Sequence, residues 1–122
     1  MNKTILVVDD EIPILTVLEI GLQHYGFNVI CVNNPVDGIE EAKKSNVDII
    51  LTDIDMIEMN GKQMGISILK SKPDIRILYM SGCELKEIEA RGILNYKDNF
   101  IQKPFGIRDD LVPKIKEVLS SP

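Results

Sequence analysis

The sequence predicts an α/β domain built on an open, mainly parallel sheet, and three observations carry that expectation. Short apolar runs alternate five times with segments of helical period, the order left by repeated strand–helix units. Acidic or basic residues stand at the ends of several runs: Asp9-Asp10 after Ile5-Leu6-Val7-Val8, Asp53 after Ile49-Ile50-Leu51-Thr52, and Lys103-Pro104 after Phe100-Ile101-Gln102. The chain has 122 residues, of which 44% are hydrophobic and 27% charged, a globular profile that fits one compact domain over 1–122 with no room for a second.

The strands are expected at Thr4–Val8, Asn28–Val32, Asp48–Thr52, Arg76–Met80 and Asn99–Gln102, with the third the most continuous. Pro13 suits the first turn of a helix whose Leu15, Leu18 and Leu22 form an apolar stripe, and Gly26 stops it. Pro35 opens a second helix, with Val36, Ile39 and Ala42 facing inward. A third, about Lys62 to Ser71, turns Met64, Ile68 and Leu69 inward before Pro73-Asp74 makes the turn into the fourth strand. The fourth helix is expected near Leu85–Leu94. A fifth, about Asp109–Leu119, buries Leu111, Ile115, Val118 and Leu119, but Pro113 interrupts it. Either that helix begins near Val112 or its first turn lacks an amide.

Composition excludes several classes of function. The net charge is −5 and no basic run is present, so direct nucleic-acid binding by phosphate neutralisation is not expected. Cys31 and Cys83 are far apart, each in or beside an apolar strand, which reads as two partly or fully buried free thiols and not as a disulfide framework or a zinc site. His24, the single histidine, falls in an amphipathic stretch and reads as a solvated helix residue. No secretory leader and no apolar run of about 18 residues is visible, so neither a membrane span nor export is expected and the cytoplasm is the natural address. Met1 reads as a native start, and both a stand-alone protein and a piece of a longer parent fit.

Parallel strands in an open α/β sheet end at one edge, so the residues that follow them meet there. Asp9 and Asp10 would then lie beside Asp53, and ionised carboxylates at close range repel by roughly 4 kcal/mol per pair at an effective dielectric near 20. A hard divalent cation answers that repulsion, because Mg²⁺ takes oxygen ligands and keeps positions open for water or phosphate. Lys103 adds a second positive group that can pair with Asp53 at rest and with a phosphoryl oxygen later. A carboxylate can itself attack phosphorus, and Asp53, alone at the end of the central strand, is the candidate nucleophile. Ser81 ends the fourth strand, where its hydroxyl can donate to a phosphoryl oxygen and Gly82 leaves backbone room. Read singly, each piece is ordinary: an Asp pair is often a helix cap, Lys-Pro a turn and Ser-Gly the start of a loop. Their joint placement after four of five strands is not.

On these segments, together with Asp53-Ile54-Asp55-Met56, Ile77-Leu78-Tyr79-Met80-Ser81-Gly82 and Phe100-Ile101-Gln102-Lys103-Pro104-Phe105, the chain resembles the receiver domain of two-component response regulators along nearly its whole length. The resemblance implies a flavodoxin-like doubly wound (βα)5 fold, a five-stranded parallel sheet in the order 2-1-3-4-5. It implies Asp53 as phosphoacceptor, Asp9, Asp10 and Asp53 with the backbone carbonyl of Asp55 as ligands of Mg²⁺ or Mn²⁺, and Ser81 and Lys103 as the groups that meet the phosphoryl oxygens. It also implies a cis peptide between Lys103 and Pro104. Phe100 matches an aromatic switch position, and a static core phenylalanine is the competing reading. The implied partners are a histidine kinase or histidine phosphotransfer protein and a downstream protein target, with the chain a monomer or a weak phosphorylation-dependent dimer and not an enzyme toward other substrates. The chain departs from the family pattern at Ile57, where proline is common, and at Ile93-Leu94-Asn95-Tyr96, where a Gly-Ala pair is usual. Two other readings compete: a haloacid-dehalogenase-like phosphatase, whose Asp-x-Asp Asp53-Ile54-Asp55 resembles but in the wrong chain order, and a pseudo-receiver that binds partners without phosphorylation.

Overall fold

The computed structural model describes residues 2–121. Its elements are β1 (Thr4–Val8), α1 (Ile12–His24), β2 (Asn28–Val32), α2 (Pro35–Lys44), β3 (Ile49–Asp53), α3 (Gly61–Ser71), β4 (Arg76–Ser81), α4 (Leu85–Ala90), β5 (Asn99–Gln102) and α5 (Val112–Ser120). The strands form one parallel sheet in the order β2-β1-β3-β4-β5, the flavodoxin-like doubly wound arrangement.

Strand periodicity divides the core. Ile5 and Val7 of β1 join Ile49, Leu51, Leu78 and Met80 under Leu15, Leu18 and Leu22 of α1 and Ile115 and Val118 of α5. Leu6 and Val8 point the other way, with Ile50, Ile77 and Tyr79, under Ala42, Met64, Ile68 and Ile88 from α2, α3 and α4. Successive strand side chains alternate faces, so a sheet covered on both sides needs apolar residues at every position. β1 and β3 meet that demand almost throughout, whereas β2, at the edge, is only partly buried.

Helix ends follow local chemistry. Asn60 and Gln63 form a reciprocal capping box at the start of α3, with backbone bonds of 2.8 and 2.9 Å. α1 ends at His24, and the chain turns away at Gly26, whose φ of +92° lets Phe27 N donate to the Leu22 carbonyl and Gly26 N to the Gln23 carbonyl. Gly92, at φ +74°, makes the same termination after α4, with Ile93 N bonded to Ile88 O and Gly92 N to Glu89 O. That glycine is why α4 stops at Ala90 and does not reach Leu94 as the apolar pattern suggested.

Two more expectations change, at Val36 and at β3, and the alternative left open at Pro113 is settled. Val36 is 46% exposed; the inward face of α2 is Pro35, Gly38, Ile39 and Ala42, at helical spacings of three and four that leave Val36 to one side. The conflict at Pro113 is met by a single π-helical turn over Ile107–Leu111, after which α5 starts at Val112 with the proline in its first turn, where no amide is needed. Asp110 Oδ2 accepts the Gly106 amide at 2.7 Å and closes that turn. β3 is shifted by one residue, so that Asp53 lies within the strand and not after it. Cys31 and Cys83 are free and partly buried, and His24 is exposed.

Candidate phosphorylation site at the carboxyl edge of the sheet

Strand register assembles the site. Val8 pairs with Thr52, so the next residues, Asp9 and Asp53, come side by side. Asp53 pairs with Met80, which puts Ser81 one step further on the neighbouring strand. Ser81 pairs with Gln102, and the Lys103 amide then donates to the Ser81 carbonyl at 2.8 Å. Asp9, Asp53, Ser81 and Lys103, separated by up to 94 residues, thus meet at one end of the molecule.

Each side chain has a distinct setting. Asp9 is fully buried, with Oδ1 accepting the Glu11 amide at 2.9 Å and Oδ2 accepting from Lys103 Nζ at 3.0 Å. It therefore does two things: it ties down the chain entering α1, and it supplies a buried negative charge. Asp10 is exposed at the rim. Asp53 is 7% exposed, and its Oδ1 lies 3.4 Å from Lys103 Nζ. The lysine, expected to pair with Asp53, is shared, and Asp9 is the nearer partner. Thr52 is buried beneath, its hydroxyl donating to the Asp53 carbonyl at 2.9 Å.

Burial and nearby charge act on Asp53 and Lys103. Burial pushes the Asp53 pKa up, Lys103 pulls it down, and the charges of Asp9 and Asp55 push it up again, for a value of about 6. For Lys103, burial disfavours the ammonium, but the hydrogen bond to Asp9 and the charge of Asp53 outweigh it and hold its pKa above the ordinary lysine value. The cation is therefore a fixed feature of the site at neutral pH.

One carboxylate oxygen each from Asp9, Asp10 and Asp53 lies within 4.8 Å of the others, a set of hard oxygen donors that suits a divalent cation such as Mg²⁺. The crevice, about 530 Å³, is lined by Asp10, Glu11, Asp53, Asp55, Gly82 and Lys103. Ser81 is fully buried behind the lining residues Asp55 and Gly82; its Oγ accepts the Cys83 amide at 3.0 Å and donates to Asp55 Oδ2 at 3.4 Å. Asp55 thus contributes a side chain to the site, where the sequence pointed only to its carbonyl. The Lys103–Pro104 peptide bond is cis. Phe100, partly buried on β5, packs with the core half beneath α2, α3 and α4.

Sequence reading missed two contributors, Gly61 and Arg91, and a neighbouring tie at Lys62. Gly61 donates its amide to the Ile54 carbonyl at 2.9 Å, and a Cβ there would run into the backbone carbonyl of Asp53. Its only sequence signal is a glycine at a helix start where a cap residue already stands. Arg91 reaches Asp55 Oδ1 at 3.7 Å. Lys62 binds Asp98 at 2.8 Å and lies 5.6 Å from the centre of the Tyr79 ring, which ties the segment before β5 to α3.

A doubly wound five-stranded sheet whose carboxyl edge gathers three clustered carboxylates, a lysine and a buried serine defines a signalling receiver, and comparison with known proteins agrees. Residues 5–116 match the model of the response regulator receiver domain, and the chain belongs to that family. It is 28% identical over 119 residues to the alkaline phosphatase synthesis transcriptional regulatory protein PhoP of Bacillus subtilis, covering 98% of this chain and 49% of that protein. It is 30% identical over 115 residues to the cell cycle response regulator CtrA of Brucella ovis, covering 94% and 49% respectively. The chain therefore spans about half the length of these relatives. Among solved structures, a CheY-like receiver domain protein from Methanospirillum hungatei superposes with a TM-score of 0.84 at 27% identity, covering 98% of this chain and 94% of that one. A response regulator receiver protein from Sinorhizobium medicae gives the same TM-score at 28% identity, with 98% and 96% covered. The chain is a regulatory receiver domain of the two-component type. Among the described residues, no helix is long and apolar enough to cross a membrane.

Proposed function

We propose that Asp53 accepts a phosphoryl group from a phosphohistidine on a histidine kinase or histidine phosphotransfer protein, and that the modified domain recruits a downstream protein. The observation that carries this reading is the setting of Asp53: a carboxylate at the end of the central strand, facing the crevice, with an ammonium 3.4 Å away and two further carboxylates beside it. A carboxylate oxygen of Asp53 attacks phosphorus, the P–N bond breaks, and its electron pair returns to the imidazole nitrogen. Water later attacks the same phosphorus, releasing inorganic phosphate and restoring the carboxylate.

Most of the work in such a transfer is positioning and charge neutralisation. Asp9, Asp10 and Asp53, with the carbonyl of Asp55, would hold Mg²⁺ or Mn²⁺, which when bound offsets the charge of the carboxylates and of the incoming phosphoryl oxygens. Lys103 stays protonated and, keeping Asp9 as its partner, exchanges Asp53 for a phosphoryl oxygen. Ser81 turns its hydroxyl to another oxygen, and Phe100, adjacent on β5, repacks as β4 shifts. Phosphorylation adds nearly two negative charges, enough to bias an equilibrium between two arrangements of these groups. The reading places the domain in the cytoplasm, where phosphodonor kinases present their histidines.

Mass spectrometry after incubation with acetyl phosphate and Mg²⁺ tests the assignment. A hydroxylamine-labile adduct on wild type, absent from Asp53→Asn, is the expected result. No adduct on wild type, or one that persists in the variant, overturns it.

A further inference from the structure

The Ser81 hydroxyl has one proton to give, and in this structure it gives it to a carboxylate. Its oxygen already accepts the Cys83 amide at 3.0 Å, and its proton points to Asp55 Oδ2 at 3.4 Å. The other oxygen of that carboxylate is 3.7 Å from Arg91 Nη2, and Arg91 is the residue that caps the C-terminal end of α4. Ser81, Asp55 and Arg91 therefore form a chain that runs from a buried hydroxyl, through a carboxylate that lines the crevice, to the exposed end of a helix. A cation at a helix C-terminus is itself favourably placed, which helps to hold the chain in this form.

We propose that Asp55 and Arg91 are positioning residues that hold the Ser81 hydroxyl away from the phosphoryl site at rest. This rests on the reading of Asp53 as phosphoacceptor and Ser81 as the hydroxyl that follows it. A phosphoryl oxygen and the Asp55 carboxylate compete for the same proton, so Ser81 can serve one only by leaving the other. Arg91 strengthens the resting acceptor by keeping the Asp55 carboxylate in place. When Ser81 turns, Asp55 loses a donor next to a newly arrived dianion, and the Asp55–Arg91 pair is strained by like-charge repulsion on one side. Arg91, and with it the C-terminal end of α4, is then released from the site. Both partners of the ion pair are about half exposed, with side chains 46% and 53% accessible, so the restraint is weak enough for one phosphoryl group to break.

The test titrates beryllofluoride, a mimic of a carboxylate-bound phosphoryl group, into the Mg²⁺-loaded protein by calorimetry. The amide shift of Cys83, which bonds Ser81 Oγ directly, reports the hydroxyl's orientation by NMR. Arg91→Ala, a surface change that leaves every residue of the crevice intact, should bind beryllofluoride roughly two- to five-fold more tightly than wild type. In the ligand-free variant the Cys83 amide should move part of the way toward its position in the beryllofluoride complex. Asp55→Ala should move the amide in the same direction. The gain from Arg91→Ala should vanish in a Ser81→Ala background, because no hydroxyl is left to restrain. A gain of equal size in both backgrounds means that Arg91 acts through charge alone and overturns the proposal, as does an unmoved Cys83 amide. If wild type binds no beryllofluoride, the phosphoacceptor reading fails and this proposal with it; if wild type binds and only the Arg91 effects are absent, the proposal alone fails.

Discussion

The two sides of the crevice are held in opposite ways. On one side, Lys103 lies between Asp9 and Asp53, at 3.0 and 3.4 Å, with Asp9 wholly buried and Asp53 nearly so. On the other, Asp55 joins Ser81 at 3.4 Å and Arg91 at 3.7 Å with the ion pair half exposed to water. Buried charges that lose their partner are costly, whereas exposed ones exchange it for water at little loss. The first side is therefore the fixed chemical apparatus, and the second is the part free to rearrange.

The largest effect is expected at Lys103. Lys103→Ala leaves the Asp9 carboxylate buried and unpaired and should lower unfolding stability by about 2–4 kcal/mol, measured by urea denaturation in EDTA. Mg²⁺ should restore part of that loss, because a cation on Asp9, Asp10 and Asp53 replaces the missing charge. A loss no larger than that of a surface substitution would mean that Asp9 is solvated and that the two sides do not differ.

A smaller effect is expected at Gly61. Its Cβ position is taken by the Asp53 carbonyl, so Gly61→Ala should cost about 1–3 kcal/mol and slow labelling of Asp53 by acetyl phosphate. Stability by denaturation and labelling by mass spectrometry read the two consequences separately.

Asp53 makes the buried side respond to pH. Its folded pKa, raised by burial to about 6 from 3.8, means that between those values the folded protein keeps a proton the unfolded chain has released. Stability in EDTA should therefore fall as pH rises from about 4 to about 6 and level off above. Asp53→Asn removes that term and should be more stable than wild type by about 1–2 kcal/mol at pH 7–8, the figure reduced for water in the crevice, with the gain shrinking toward pH 4.

The smallest effect belongs to the other side. Arg91→Ala should change stability by less than about 0.5 kcal/mol, since its pair is exposed, while still altering ligand affinity as described above. A destabilisation as large as that of Lys103→Ala would erase the distinction between a fixed side and a movable one.

Much of this was legible from residue order alone. Strand bounds at β1, β2 and β5 are those expected from the sequence to the residue, and at β1 burial on both faces leaves no slack in register. The clustering of Asp9, Asp10 and Asp53 also follows from sequence, since parallel strands share an edge and whatever ends them is gathered there. Less legible were features set by local backbone chemistry at helix ends. Gly92 cut α4 short, and Pro113 forced a π-helical turn where a regular helix was only partly expected. Val36 looked like a core residue by type and lies outside it by helical phase.

By itself, then, the order of residues determined the fold class and which chemical groups reach the crevice, because hydrophobic period and strand termini are local properties. Only the packed chain decided who pairs with whom. Lys103 prefers Asp9, Ser81 gives its proton to Asp55, Arg91 closes on the same carboxylate, and Gly61 makes room for the Asp53 backbone. These choices depend on distances of a few tenths of an ångström and on which charge is shut away from water. No pattern along the chain encodes either until the strands and helices are laid against one another.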